Sequence, residues 1–263
     1  MVDSDTTDAA TLLGIYRYPV KGLSPEGMPA VDLRAGETLP LDRCYAIENG
    51  PSDFDPAAPR WLPKIQFLML MRNERLASLE TRYDEASHVL TIQRQGCELV
   101  RGDLSTDAGR AAVADFFGKI FRKELRGPPR ILQAIGHSFS DVARKVVSII
   151  NLSSVAELEG LVGQAVSPLR FRGNLHVSGW PAWHELTLIG ATLAIGDARL
   201  RVVKRIVRCA AINVDPVSGS RDLALPHVMM HANGHDDCGV YAEVIADGDI
   251  AVGDKVSVVS LPA

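Results

Sequence analysis

Residues 192–209 read TLAIGDARLRVVKRIVRC. Two short apolar runs, Thr192–Ile195 and Leu200–Ile206, read as strands separated by a glycine-bearing break. Runs of the same kind recur outward from them at Phe171–Val177, Leu186–Ile189, Val240–Ile245 and Val256–Val259, with Ala246-Asp247-Gly248-Asp249 as a turn. Toward the N-terminus lie Leu12–Tyr18, Ala30–Leu33 and Cys44–Glu48. The runs Leu76–Tyr83 and Val89–Gln93 are joined by Asp84–Ser87, which reads as a hairpin connection, and Phe67–Arg72 is a continuous apolar run. Many short strands with glycine-rich turns predict barrels, so the expected fold class is mainly β (α+β) with a few helices. Three helices are expected. Ser105 or Thr106 caps one that runs to about Lys119, Ser153 caps a second, and Leu223–Ala232 is a third that Asn233-Gly234 stops. The proline-rich stretch 49–63 reads as a loop. Gly127-Pro128-Pro129 is the expected boundary between two β-rich units, which gives a disordered tail (1–10), a first unit (11–128) and a second unit (129–263).

The chain has 263 residues and a formal net charge of −4. That length supports a core without a disulfide or metal staple. The acidic balance argues against nucleic acid as a partner, although a local basic pocket remains compatible with it. The four cysteines, Cys44, Cys97, Cys209 and Cys238, contain no C-x-x-C pair, and they are too few for a disulfide scaffold. They read as reduced thiols of a cytoplasmic protein. The N-terminus lacks the basic and apolar regions of a signal peptide, and no apolar run approaches the roughly 20 residues of a membrane span, so no membrane association is expected.

Cys209 ends a strand-like run and follows Lys204, Arg205 and Arg208. Neighbouring positive charge favours thiolate, the form that binds soft metals, and the same cations suit a phosphate. By composition alone, the commoner role of such a cysteine is a small buried core residue. Arg172 and Asn174 alternate on one face of an expected strand and can present a charge and an amide to one ligand. A solvated strand face is the alternative for that pair. Lys21 lies between a strand and Gly22, a setting in which a tight turn meets a phosphate, and Arg43 heads another strand. His227, His231, His235 and Cys238 have metal-like spacing, but Asn233-Gly234 should break the helix before His235, so a loop with surface histidines is expected. No G-x-S-x-G or H-E-x-x-H occurs.

Taken together, these segments resemble the MOSC family, named for the C-terminal part of molybdenum-cofactor sulfurases. Arg208-Cys209, Val214-Asp215-Pro216 with Gly219, Gly239–Val244 and Ile250–Val256 carry the resemblance in the second half. Tyr18-Pro19-Val20-Lys21-Gly22 and Asp42-Arg43 resemble the β-rich domain that often precedes it. The resemblance implies a MOSC β-barrel beside a smaller β-rich domain, and a molybdenum–molybdopterin cofactor. It makes Cys209 the metal ligand and catalytic residue, and places Lys21, Gly22, Arg43, Arg172, Asn174, Arg208 and Cys238 around the cofactor. His235 and Asp237 would line the same pocket. Pyridoxal phosphate binding comes with the family only as a general association. Similarity to the amidoxime-reducing members implies reduction of N-hydroxylated substrates.

Those members carry serine after the lysine and two residues before the cysteine, where this chain has Gly22 and Val207. No iron–sulfur cysteine run is present, so electrons are expected from a separate flavin or iron–sulfur protein. The alternatives are a cofactor carrier, a Cys209 persulfide sulfur-transfer protein, and a domain that has lost cofactor binding.

Overall fold

Alternation of buried and more exposed positions marks the first strand of the computed structural model, which describes residues 9–261. In β1 (Ala9–Arg17) the buried set is Ala10 and Leu12, and then, across a bulge between Leu12 and Gly14, Gly14, Ile15 and Arg17. The short strands β2 (Glu26–Met28), β3 (Ala30–Leu33) and β4 (Tyr45–Ile47) follow. An antiparallel meander comes next, made of β5 (Glu80–Asp84), β6 (Val89–Arg94) and β7 (Cys97–Asp103). Helix α1 (Asp107–Ile120) packs Val113 and Phe117 into one core with Tyr83, Leu90 and Ile92. Thr106 caps it as expected, accepting from the Gly109 N–H at 3.0 Å.

The chain continues through β8 (Ile131–Gln133), which pairs with β4, and then β9 (Val147–Asn151). Helix α2 (Leu152–Val162) starts directly from β9. Its cap is Asn151 rather than Ser153, because Asn151 Oδ1 accepts from the Ser153 N–H at 3.2 Å. The remaining elements are β10 (Leu175–Ser178), β11 (Thr192–Ile195), β12 (Ala198–Val207), α3 (Leu225–Asn233), β13 (Asp237–Ala246), β14 (Gly248–Ala251) and β15 (Lys255–Ser260).

Seven strands close a barrel in the order β10-β9-β13-β12-β11-β15-β1, with β1 pairing back onto β10. All pairs are antiparallel except β9–β10. Leu12, Val177, Leu193, Leu200, Val202 and Val240 are among the side chains that fill it. The division expected at residue 128 does not separate the barrel from the rest. β1 completes the barrel from the start of the chain, and β3 pairs with β14. Ala9 and Ala10 of the expected disordered tail are strand, and positions 1–8 of it lie outside the described residues.

Three expected strands are wholly or partly 3-10 turns: Glu74–Ser78 ahead of β5, Pro168–Phe171 ahead of β10, and His184–Thr187. In each, an apolar run meets the core by a tight turn instead of by pairing. The expected third helix is present as α3 and ends at Gly234, in the left-handed region.

Gly239 lies in β13 with φ +77°, and a Cβ there would sit 2.5 Å from the Ile149 carbonyl oxygen. Gly234 has φ +75° with open space around it. Gly234→Ala should therefore cost about 1–3 kcal/mol of backbone strain, and Gly239→Ala should cost more. In thermal denaturation the Gly239→Ala Tm is expected below that of Gly234→Ala, and equal Tm values would remove the steric argument.

Candidate functional site

The site is built at the end of β12. There Val207 faces solvent, Arg208 turns inward, and Cys209 is half-buried at the head of a 3-10 turn, Ala210–Asn213. Two arginines pin the segment that follows. The buried Arg170 guanidinium makes two contacts with Asp222, at 2.8 and 2.7 Å, and reaches Asp215 at 3.3 Å and the Asn213 carbonyl at 3.2 Å. Arg221 donates to the Ala210 carbonyl at 2.9 Å and, across the cleft, to those of Leu70 and Met71 at 3.0 and 2.7 Å. The cysteine therefore sits on a segment tied down at several points.

Beside it, the chain turns sharply before β10. Arg172 has φ 51° and ψ 38°, so it is a left-handed corner and not the strand residue the alternation suggested. From that corner its guanidinium donates to the Leu23 carbonyl at 2.8 Å and lies 4.2 Å from the Tyr18 ring centroid. Arg43 lies 5.0 Å from the same ring and donates to the Arg172 carbonyl at 3.1 Å, and its other contact is the Asp42 carboxylate. Burial lowers Arg172 to about 10; the Tyr18 phenol opposes this and the like charge of Arg43 adds to it. Burial also pushes the Tyr18 phenol up to about 12. Arg208 donates from Nε to the Cys238 carbonyl at 2.7 Å and from Nη1 to that of Phe171 at 2.8 Å. Nη2 of Arg172 and Nη2 of Arg208 are buried without any hydrogen-bond partner.

These residues surround a cleft of about 270 Å³. Lys21, Arg43, Lys64, Arg170, Arg172, Lys204, Arg205 and Arg208 line it, against a single carboxylate, Asp141. Lys21 is buried and donates to the Phe139 carbonyl at 2.8 Å and to Asp141. Burial pulls the Lys21 ammonium below the ordinary lysine range, against the attraction of Asp141. Burial alone would raise the Asp141 carboxyl, but Lys21 overrides that and holds it at about 2.

Of the residues expected at the site, Lys21, Gly22, Arg43, Arg172, Asn174, Arg208 and Cys209 all line this cleft. The side chain of Asn174 is largely engaged in the barrel: Oδ1 accepts from Ser148 N and Oγ at 3.0 and 2.7 Å, and Nδ2 donates to the Tyr16 carbonyl at 3.1 Å. Cys238 does not line the cleft. Its side chain is buried with Ile150, Phe171 and Ile212, and burial pushes its thiol up to about 12, so it stays protonated. His235 and Asp237 also lie off the cleft. His235 stacks edge-on to Trp183, and Asp237 faces Val207 across the β12–β13 ladder. The histidine run assembles no metal site, and no group of three metal-ligating side chains occurs among the described residues.

Sequence reasoning missed Lys64, whose Nζ donates to Cys209 Sγ at 3.4 Å, and it also missed Asp141 and Tyr241. Lys64 follows the proline-rich loop, where no periodicity marks a functional position.

Residues 135–257 match the family model described as the MOSC domain. The chain carries a MOSC domain. Among solved structures, the YuaD protein from Bacillus subtilis is 16% identical over 94% of each chain, with a TM-score of 0.44. YiiM from Geobacillus stearothermophilus is 16% identical over 43% of this chain and 54% of that one, with a TM-score of 0.35. For YiiM from Escherichia coli the identity is 21% over the same shares, with a TM-score of 0.32. No curated protein matches the chain.

The MOSC domain supplies Asp141, Arg170, Arg172, Asn174, Arg208, Cys209 and Tyr241 to the cleft. Lys21, Gly22, Arg43 and Lys64 come from the residues before it, so the cleft belongs to both parts of the chain. Among the described residues, no helix is long and apolar enough to cross a membrane.

The folded Asp141 carboxyl titrates near 2, below its ordinary 3.8. Its contribution to stability is thus complete above about pH 3.8 and disappears as the pH falls toward about 2. Asp141 is half exposed, which screens the pair and keeps the effect to about 1 kcal/mol or less. Asp141→Asn should lower the urea midpoint relative to wild type at pH 5, and the gap should narrow by pH 2. A gap that does not vary with pH would mean that the ion pair is not its source.

Proposed function

We propose that the cleft holds a molybdenum–pterin cofactor, with the Cys209 thiolate as the protein ligand to the metal, and that the protein is an oxidoreductase acting on N-hydroxylated compounds. MOSC domains are a family associated with binding this cofactor. The observation that carries the reading is the convergence of eight basic side chains and one carboxylate on a half-buried thiol, in a chain whose overall charge is −4. Three buried guanidinium nitrogens of the cleft arginines lack a partner, Nε of Arg170, Nη2 of Arg172 and Nη2 of Arg208, and the two Nη2 atoms fit an anionic group that would satisfy them.

Arg172 and Arg208 would hold the phosphate and pterin oxygens, with Arg43 positioned through the Arg172 carbonyl. Lys21 is neutralised by Asp141 and shapes the turn at Gly22. There φ is +85° and a Cβ would lie 3.3 Å from the Leu68 carbonyl oxygen, so glycine brings the backbone close to the cleft wall. When bound, the cofactor would supply two-electron oxygen-atom chemistry at a metal with open positions. Reducing one N-hydroxyl group to the amine consumes two electrons and two protons and releases water. Burial keeps the Tyr241 phenol protonated on the cleft wall, and Lys64 Nζ donates a hydrogen bond to the sulfur. Electrons would come from a separate flavin or iron–sulfur protein. Val207 is 63% exposed beside Lys204 and Arg205, also exposed, which gives a basic rim suited to an acidic donor.

Expression of wild type and Cys209→Ala in a host that makes the cofactor tests this reading. Wild type should carry close to one molybdenum and one pterin per chain, and Cys209→Ala should lose the metal. Arg172→Met or Arg208→Met alone should lower retention without abolishing it, because several charges share the anion. Folded wild type with neither molybdenum nor pterin would refute the proposal. A labile sulfur on Cys209 in that protein would instead identify a persulfide carrier, and full cofactor without turnover under any donor would identify a cofactor carrier.

A further inference from the structure

We infer that Lys64 is a positioning residue for the ligand sulfur: its ammonium donates a hydrogen bond to Cys209 Sγ and raises the reduction potential of the metal held there. This rests on the function proposed above. Arg208 is the cation next to Cys209 in sequence, but its guanidinium turns away to the carbonyls of Cys238 and Phe171. The cation that touches the sulfur is Lys64, at 3.4 Å, from outside the MOSC domain. Among the described residues, the sulfur is the one hydrogen-bond acceptor of Lys64 Nζ.

The contact is built into the fold rather than left to a free surface chain. The turn Lys64–Gln66 closes through Gln66 N to the Pro63 carbonyl at 2.9 Å and Phe67 N to the Lys64 carbonyl at 3.1 Å. Arg126 clamps it, donating to the Ile65 carbonyl at 3.1 Å and to Gln66 Oε1 at 2.8 Å. Upstream, Trp61 Nε1 donates to the Ser140 carbonyl at 3.2 Å, which ties the proline-rich loop to the MOSC domain beside Asp141. The backbone on both sides of Lys64 is thus fixed.

A hydrogen bond to a ligand sulfur withdraws electron density from it, and the ammonium adds a fixed positive charge near the metal. Both favour the reduced metal, and hydrogen bonding at cysteine sulfur is an established control of potential in metal sites. A partly desolvated cleft strengthens the effect.

The test uses holoprotein of wild type, Lys64→Arg, Lys64→Gln and Lys64→Met. Molybdenum per chain is measured first, and then the midpoint potential is measured by mediated titration with spectroscopic readout of the metal. The midpoint is read on the metal-loaded fraction of each variant, so a lower loading does not alter the comparison. Lys64→Met should lower the midpoint so that the reduced-to-oxidised ratio at a fixed potential falls about tenfold, about 59 mV for a one-electron step. Lys64→Gln, which keeps a donor but no charge, should fall in between, and Lys64→Arg should restore most of the shift. An unchanged midpoint in the metal-loaded fraction of Lys64→Met and Lys64→Gln would overturn the inference and leave the proposed function standing. A wild type without molybdenum would overturn the proposed function itself.

Discussion

The pairing of β1 with β10 closes the barrel, and the site depends on that closure. Tyr16 N donates to the Asn174 carbonyl at 2.7 Å, and the Asn174 amide returns a hydrogen bond to the Tyr16 carbonyl. Asn174 at the same time binds Ser148 on β9 through both backbone and side chain, so one buried amide joins three strands. The chain leaving β1 then has to pass the corner at Arg172. Tyr18 is brought under the Arg172 guanidinium, and Leu23 offers it a carbonyl. Lys21, Gly22 and Arg43 reach the cleft because the first strand of the chain is the last strand of the barrel.

How the cations are satisfied separates scaffold from binding surface. Arg170 and Lys21 are paired with carboxylates, so their charge is largely spent within the protein. Arg172 and Arg208 are tethered by neutral carbonyl oxygens instead. A carbonyl accepts a hydrogen bond and fixes the guanidinium plane, yet leaves its full positive charge in the cleft. Bringing such groups together is unfavourable unless an anion completes the arrangement. Both arginines of this second kind keep an orphaned Nη2 without a carboxylate nearby to take up the charge, whereas Arg170, which also keeps an unbonded Nε, has Asp222 and Asp215 beside it. The fold thus prepares directed donors for an anion while using carboxylate pairs to hold the walls.

The barrel was largely legible in the sequence because most of its strands have one face inward and one outward. β12 and β13 were marked by their apolar runs, and in the fold they alternate buried and more exposed positions over much of their length. β9 escaped because all five of its residues are buried, including Ser148 and Asn151, so no alternation survives. A two-residue period puts Arg172 and Asn174 on one face with ligand and solvent both open to it, and it is the family resemblance that assigns the pair to the cofactor. The conclusion that Arg172 reaches the cleft holds, but the geometry behind it is a left-handed corner that no period reports. Cys238 was drawn in by its place near a matched motif, but the turn of β13 sends its side chain into the core with Phe171. Lys64 could not be found at all, because its relation to Cys209 spans 145 positions and depends on how a loop folds back.

That dependence explains why the thiol sits where a strand meets a pinned turn. A cysteine within β12 would have its orientation fixed by the ladder, but its sulfur would point into the packed core or out to solvent. Two residues past the strand, Cys209 takes its direction from β12 and its opening from the turn. Arg170 and Arg221 then prevent that turn from drifting, through contacts that reach Asp222 on one side and Leu70 and Met71 on the other. A ligand atom held on rigid elements keeps its geometry as the group it holds changes charge. The N-terminal residues complete the arrangement by presenting Lys64 to the sulfur, so neither part of the chain forms the site alone.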